Sequence, residues 1–146
     1  MNAIKTILHP TDFSKPAMAA FDVACMLAGA LSAKLVLLHV RPLPIAPLPG
    51  EILPPAETAT ELETSLRMRL DALVPRDPKI AVERFLLLGD EAAEIVDTAN
   101  ETGCDLIVMG THGRTGVTRL LMGSVAEKVS RKAPCAVVTV KSKLAE

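Results

Sequence analysis

The chain contains 146 residues with a formal net charge of -1, and 49% of its residues are hydrophobic. This length predicts a single domain over residues 1–146 that buries about two-thirds of its extended surface, and the apolar content excludes a disordered chain. Basic residues number 16 against 17 acidic ones, and aromatic residues make up 2%. A nucleic-acid partner is not expected, because both a basic surface and stacking side chains are lacking.

The first apolar run ends at His9 and Pro10, so it is too short for a signal peptide or a membrane span. The three cysteines, Cys25, Cys104 and Cys135, have no CxxC spacing and cannot all pair. These features favour a cytoplasmic, reducing location without a membrane partner. The cysteines are interpreted as small buried hydrophobic residues, with a redox role as the open alternative.

Short aliphatic runs alternate with segments of helical periodicity along the chain. The runs predict five strands, at residues 4–9, 35–40, 80–87, 106–109 and 136–140. Most of them are apolar over their whole length, which indicates burial on both faces. The periodic segments predict four helices: one after a Ser14 cap, one along the stripe of leucines 62–73, one from Asp90 to Gly103, and one from Gly123 to Pro134. This alternation predicts a five-stranded parallel doubly wound α/β sheet with helices on both faces.

The second predicted strand is followed by a proline-rich stretch, residues 41–55. It is either a plain extended connection or a flap over a ligand at the carboxyl ends of the strands.

The loop after the fourth strand is the most informative candidate site. Gly110, Gly113 and Gly116 fall within seven residues, and Gly123 with Ser124 opens the last helix, so this stretch holds half of the 8 glycines. Glycine lets phosphate oxygens approach backbone N–H groups, and a helix start favours an anion by roughly 0.3–1 kcal/mol. The pattern predicts a phosphate site, although the glycines could simply turn the chain.

Asp12 after the first strand, together with the spacing of Gly110, Gly113 and the pair Gly123-Ser124, resembles the ATP-binding branch of the universal stress protein family. Residues 7–14, 37–40 and 123–129 are also similar to that family, so the resemblance covers the whole chain. It implies a flavodoxin-like three-layer sandwich, similar to the adenine nucleotide alpha hydrolases, that binds ATP between its first and fourth strands.

The resemblance also implies the roles of particular residues. Asp12 would be the polar contact to adenosine, and the Val40 backbone would contact the adenine edge beside Pro10. The ribose and phosphates would be surrounded by Met109, Gly110, Gly113, Gly123, Ser124 and Val125, whereas Gly116 lies outside the family pattern. A homodimer formed through the last strand, residues 136–140, is implied as well.

Other classes of site lack their chemistry in this sequence. A GxxxxGK[ST] motif is absent, and the first turn has no GxGxxG. A phosphoacceptor domain would need clustered carboxylates after the first strand, where only Asp12 is found; Asp90 is interpreted as a helix cap. The three histidines lack zinc-site spacing, so no protein metal site is expected; Mg²⁺ held by Asp12 and the phosphates stays open.

The expected function is therefore an ATP-binding stress or signalling module, without assigned catalytic residues. A slow ATP hydrolase or phosphotransferase is the first alternative, since His112, Arg114 and Arg119 belong to the phosphate loop. A structural interaction protein with a vestigial nucleotide site is the second.

Overall fold

The computed structural model describes residues 3–44, 47–52, 58–112 and 122–142. Parts of the proline-rich stretch, and Gly113, Arg114, Gly116 and Arg119, lie outside these ranges. The strands and helices follow the predicted alternation: β1 (Thr6–Pro10), α1 (Lys15–Leu31), β2 (Lys34–Arg41), α2 (Ala59–Asp71), β3 (Val82–Leu88), α3 (Glu91–Thr102), β4 (Leu106–Gly110), α4 (Ser124–Lys132) and β5 (Ala136–Val140).

The five strands form one parallel sheet in the order β3-β2-β1-β4-β5. The chain builds the sheet outward from β1 to β3 and then crosses to the other side of β1 to place β4 and β5. The predicted doubly wound arrangement is confirmed, and the strand order reverses between β1 and β4.

The helices begin and end at residues whose side chains suit those positions. Ser14 Oγ accepts from Ala17 N at 3.3 Å at the start of α1, and the Asp90 carboxylate accepts from Ala93 N at 3.0 Å at the start of α3. Helix α3 ends at Gly103 in the left-handed region, with a φ of 63°. The predicted caps and the glycine stop are confirmed.

Two hydrophobic cores lie on opposite faces of the sheet. One packs α1 and α2 against alternate residues of the strands, including Ile7, Leu37 and Val108. The other packs α3 and α4 against the intervening residues, including Leu8 and Ile107. Alternation of side chains along each strand therefore decides which helices a residue contacts.

The prediction that most strands are buried on both faces holds for the three inner strands and not for the two outer ones. The described parts of β1, β2 and β4 are almost entirely buried, but β3 and β5 are mostly half-buried. Leu88, the last residue of β3, is 52% exposed. These strands are the margins of the sheet, so one flank of each has no neighbour among the described strands. Among the described residues, none of the helices has the length and hydrophobicity to cross a bilayer.

Candidate functional site

The candidate site lies at the carboxyl ends of β1 and β4. The ladder between these strands ends at the pair of Leu8 and Ile107, whereas β1 remains paired with β2 as far as Pro10. Proline has no N–H to donate, so the β1–β4 ladder cannot continue through residue 10. The strands stop pairing at the point of order reversal, where open α/β sheets bind their ligands.

His9 replaces the donor that Pro10 lacks. Its Nδ1 lies 2.8 Å from the carbonyl oxygen of Val108, which a residue-10 N–H would otherwise meet, so Nδ1 carries the proton and donates. His9 Nε2 is buried and has no hydrogen-bond partner within the described ranges. Burial lowers the pKa of His9 to about 4, against the opposing effects of the Val108 carbonyl and Asp12. His9 is therefore a neutral structural residue.

This buried histidine should make the protein less stable in acid. The unfolded chain takes up a proton at His9 near pH 6.5, but the folded chain does so only near pH 4, so falling pH favours the unfolded state within that window. The expected loss between pH 7.5 and pH 5 is about 2 kcal/mol. Urea unfolding at both pH values should show a smaller loss for His9→Gln, which cannot ionise; equal losses in the two proteins would contradict the assignment.

The loop after β1 fixes the position of Asp12. Both the backbone N and the Oγ of Ser14 donate to Asp12 Oδ1, at 3.0 and 2.5 Å. The backbone N of Thr11 donates to the carbonyl of Leu38 at 2.8 Å, which ties the start of the loop to β2. The carboxylate, predicted to contact adenosine, is thus half-buried and held by the residue that caps α1.

Phe13 and His39 form a further support for this loop that the sequence did not reveal. Phe13 adopts a φ of 65°, a left-handed conformation that costs a bulky residue about 1–2 kcal/mol. Its ring lies 4.6 Å from that of His39, and the Arg69 guanidinium carbon lies 4.4 Å from the Phe13 centroid. His39 Nδ1 also donates to the Thr11 carbonyl at 2.7 Å. These contacts offset the strain and hold the loop against β2 and α2.

The backbone of Val40 faces the side of β2 on which β1 has ended. Lys34 N donates to Lys5 O, and Leu38 O accepts from Thr11 N, both at 2.8 Å, so the even-numbered residues of β2 direct their N–H and C=O groups toward β1. Leu38 is the last residue of β2 that is paired with β1. Two residues further on, the backbone groups of Val40 point past the end of β1, as a contact to a planar base requires.

The side chains of Pro10, Val40 and Met109 share the sheet face that α3 and α4 cover. Val40 and Met109 are 5% and 6% exposed and belong to the core on that face. Pro10 follows Leu8 by two positions and lies on the same side. These three predicted residues therefore form one apolar patch at the carboxyl ends of β1, β2 and β4.

Gly110 and Gly123 both lie where neighbouring backbone leaves little room. A Cβ on Gly110 would lie 3.2 Å from the carbonyl oxygen of Pro16, and a Cβ on Gly123 would lie 3.2 Å from that of Thr111. Gly123 N also donates to the Thr111 carbonyl at 2.7 Å. Each glycine thus has a packing role, in addition to any role in binding.

The start of α4 borders an open cleft of about 360 Å³. The N-cap is Gly123, which makes no side-chain capping hydrogen bond. The first N–H groups of the helix therefore lack the side-chain oxygen that usually accepts from them at an N-cap. Ser124 and Val125, both predicted site residues, line the cleft. The positive end of the helix dipole and a hydroxyl donor therefore border this cleft, and both favour an anion.

Several other residues line this cleft. Besides Ser124 and Val125, they are Pro42, Leu43, Gly89, Asp90, Glu91, Ala92 and Lys128. Pro42 and Leu43 belong to the proline-rich stretch for which a flap was an open alternative, whereas Gly89, Glu91, Ala92 and Lys128 were missed by the sequence analysis. The rule that ligands bind at strand ends could have included the segment after β3. Lys128 lies four residues after Ser124, so helical spacing places it on the same face of α4. The interpretation of Asp90 as a helix cap is confirmed, and this residue also lines the cleft.

His112 lies against the start of α4. Its Nδ1 is 3.2 Å from Thr111 Oγ1, and its Cδ2 would lie 3.8 Å from a Cβ on Gly123. His112 Nε2 is buried without a hydrogen-bond partner among residues that the structure describes. The remaining phosphate-loop residue of the predicted site, Gly113, lies outside the described residues, as do Arg114 and Arg119.

Comparisons with known proteins agree with this architecture. The solved structure of hypothetical protein MJ0577 from Methanocaldococcus jannaschii is 28% identical and has a TM-score of 0.74, covering 99% of this chain and 100% of that chain. Universal stress protein UspA from Lactobacillus plantarum is 25% identical with a TM-score of 0.73, covering 96% of this chain and 99% of the other. The fold predicted from the sequence is confirmed.

Sequence relatives extend over nearly the full chain. Universal stress protein MJ0531 of Methanocaldococcus jannaschii is 35% identical, over 96% of this chain and 84% of its own length. A universal stress protein of Thermus aquaticus is 36% identical, over 94% of this chain and 98% of its own. The model of the universal stress protein family matches residues 3–141. With the fold, these matches show that the chain belongs to the universal stress protein family.

Proposed function

We propose that residues 1–146 act as one ATP-binding domain, a nucleotide-responsive stress or signalling module of the cytoplasm. The observation that carries the proposal is that three features lie at the carboxyl end of the sheet. These are the end of the β1–β4 ladder at Leu8 and Ile107, the backbone of Val40 beyond the end of β1, and the start of α4 beside an open cleft.

The adenosine is proposed to lie near β1 and β2. Purine edges carry both hydrogen-bond donors and acceptors, and the N–H and C=O of one extended residue match such an edge. Val40 offers this pair of groups, and its own side chain is buried. Asp12, held by Ser14, would accept from a ribose hydroxyl.

The phosphates are proposed to lie at the start of α4. Backbone N–H groups, the Ser124 hydroxyl and the helix dipole would all favour the anion. Lys128 adds a cation on the same wall of the cleft, although Asp90 and Glu91 on the facing wall limit its net effect. Because a P-loop lysine is lacking, we expect affinity in the micromolar range, about -8 kcal/mol.

The decisive experiment is to denature the purified protein and identify any nucleotide that it releases. Calorimetric titration of the nucleotide-free protein with ATP, ADP and AMP would then show how the affinity depends on the number of phosphate groups. Universal stress proteins solved in complex with cAMP and with dAMP share this fold at 24% identity, so both nucleotides belong in the panel. Failure of every nucleotide to bind at millimolar concentration would refute the proposal and favour a structural protein with a vestigial site.

A slow hydrolase is the second candidate, and His112 is the observation that favours it. His112 Nε2, which has no hydrogen-bond partner among the described residues, lies beside the start of α4 and is suited to act as a proton acceptor or phosphate donor. Backbone donors alone bind the ground state and the transition state about equally, so turnover should fall well below roughly 10 s⁻¹.

If His112 acts on the phosphate, His112→Ala should lower single-turnover hydrolysis and leave ATP affinity nearly intact. Radiolabelled ATP, with both proteins freed of contaminating ATPases, provides the measurement. Equal rates in the two proteins would remove His112 from the chemistry. Turnover of tens per second in the parent would instead make the enzyme the leading function.

A further inference from the structure

Two thiols meet at the end of the sheet opposite the candidate site. Cys104 follows the C-cap of α3, and Cys135 directly precedes β5. Because Leu106 of β4 pairs with Ala136 of β5, the residues that enter these neighbouring strands lie side by side. The Sγ atoms are 3.7 Å apart although 31 residues separate the cysteines along the chain.

The environments of the two sulfurs differ. Cys104 is 6% exposed, and burial raises the pKa of its thiol to about 12. Cys135 is half-buried; burial raises its pKa too, but its hydrogen bond with Cys104 opposes that rise. Burial and Asp105 still raise the pKa of Cys135 overall. Cys135 is nevertheless the more accessible of the two residues, so it is the better placed to meet a peroxide first.

Zinc binding does not suit this pair. Structural zinc takes four ligands, and a group of three potential ligands among His, Cys, Asp and Glu is not found within the described residues. A disulfide requires an S–S distance of about 2.05 Å, so the sulfurs need to approach by about 1.7 Å from their 3.7 Å separation. Their proximity therefore favours thiol–disulfide chemistry.

The geometry points to a redox modification site, in which hydrogen peroxide converts Cys104 and Cys135 into a reversible intramolecular disulfide. The Cys135 thiol releases its proton, the thiolate attacks a peroxide oxygen, and the O–O bond breaks to give a sulfenic acid and hydroxide, which takes up the released proton to form water. The Cys104 sulfur then attacks the sulfenic sulfur, so the S–S bond forms, the S–O bond breaks and a second water leaves. In total, two thiols and one peroxide give one disulfide and two waters, and a dithiol reductant reverses the change.

The third cysteine, Cys25, provides an internal control. It lies in α1, is half-buried, and burial raises the pKa of its thiol to about 11. Its pKa is raised like that of Cys104, but it packs against the core on one face of the sheet, whereas Cys104 and Cys135 belong to the core on the other. Peroxide should therefore distinguish the paired thiols from this one.

The test treats the reduced full chain with hydrogen peroxide, alkylates the remaining thiols after denaturation, and measures intact mass and a peptide map. We expect the parent to lose two of its 3 thiols with the mass of two hydrogen atoms, and to recover both with dithiothreitol. Cys25→Ala should behave like the parent. Cys135→Ala and Cys104→Ala should each fail to form the cross-link, and circular dichroism should confirm that both variants are folded.

Three results would overturn the inference. One is a parent that retains all of its thiols after peroxide treatment. Another is a parent that gains only oxygen atoms or forms only disulfides between chains. The third is a Cys135→Ala variant that loses two thiols within one chain as the parent does, since the cross-link would then involve Cys25.

Discussion

Gly123→Val is expected to weaken ATP binding by roughly 100-fold or more, about 3 kcal/mol. A Cβ at this position would already lie 3.2 Å from the Thr111 carbonyl oxygen and 3.5 Å from the Cα of His112. The two further methyl groups of valine would occupy the space above the first N–H groups of α4. Phosphate oxygens would then lose both the close approach and the backbone donors that we propose for them.

Because the same Cβ crowds protein backbone, a loss of folding must be separated from a loss of binding. Gly29→Val is a matched control: Gly29 lies in α1, and a Cβ there would make only ordinary contacts, with Asp77 at 3.5 Å and Ile80 at 3.9 Å. Both variants should unfold cooperatively, and only Gly123→Val should lose the calorimetric signal with ATP. Near-parental affinity in a folded Gly123→Val protein would show that the phosphates do not bind at the start of α4.

Much of the fold could be predicted because its signals are local. The capping side chains of Ser14 and Asp90 and the left-handed Gly103 act within three or four residues of their own positions. Continuous aliphatic runs are the expected pattern of parallel strands between two helical layers. The half exposure of β3, in contrast, follows from its place at the margin of the sheet, which depends on how the crossovers order the strands.

The supports of the candidate site could not be predicted because they join residues far apart in sequence. His9 donates to Val108 only because β1 and β4 are neighbours and Pro10 lacks a donor. Likewise, Phe13 packs on His39, which follows it by one helix and most of a strand. Sequence motifs identify the groups that touch a ligand more readily than the groups that hold them in place.

The second large expected effect is on the oligomeric state. We propose that the chain forms a homodimer through β5. This strand ends the sheet order next to β4, so its outer flank is a template for a second strand. A two-fold pairing of two such edges, antiparallel to each other, would close the interface. Light scattering is expected to give twice 15.5 kDa.

The choice of substitution depends on which N–H groups point outward. Val138 is the central residue of β5, but Thr111 N donates to Val140 O at 3.0 Å, so the even-numbered residues of β5 direct their backbone groups to β4. Val137 and Thr139 therefore face the open edge. Thr139→Pro removes an outward donor, whereas Val138→Pro removes one from the β4–β5 ladder.

Thr139→Pro should accordingly halve the measured mass and keep a folded chain, because only the contact between copies loses its hydrogen bond. Val138→Pro should instead lower the midpoint of thermal unfolding, because proline disrupts the sheet of each chain. Light scattering over a range of concentrations and circular dichroism on all three proteins would separate these effects. A parent that stays monomeric at high concentration, or a Thr139→Pro protein that remains dimeric, would exclude this edge as the interface.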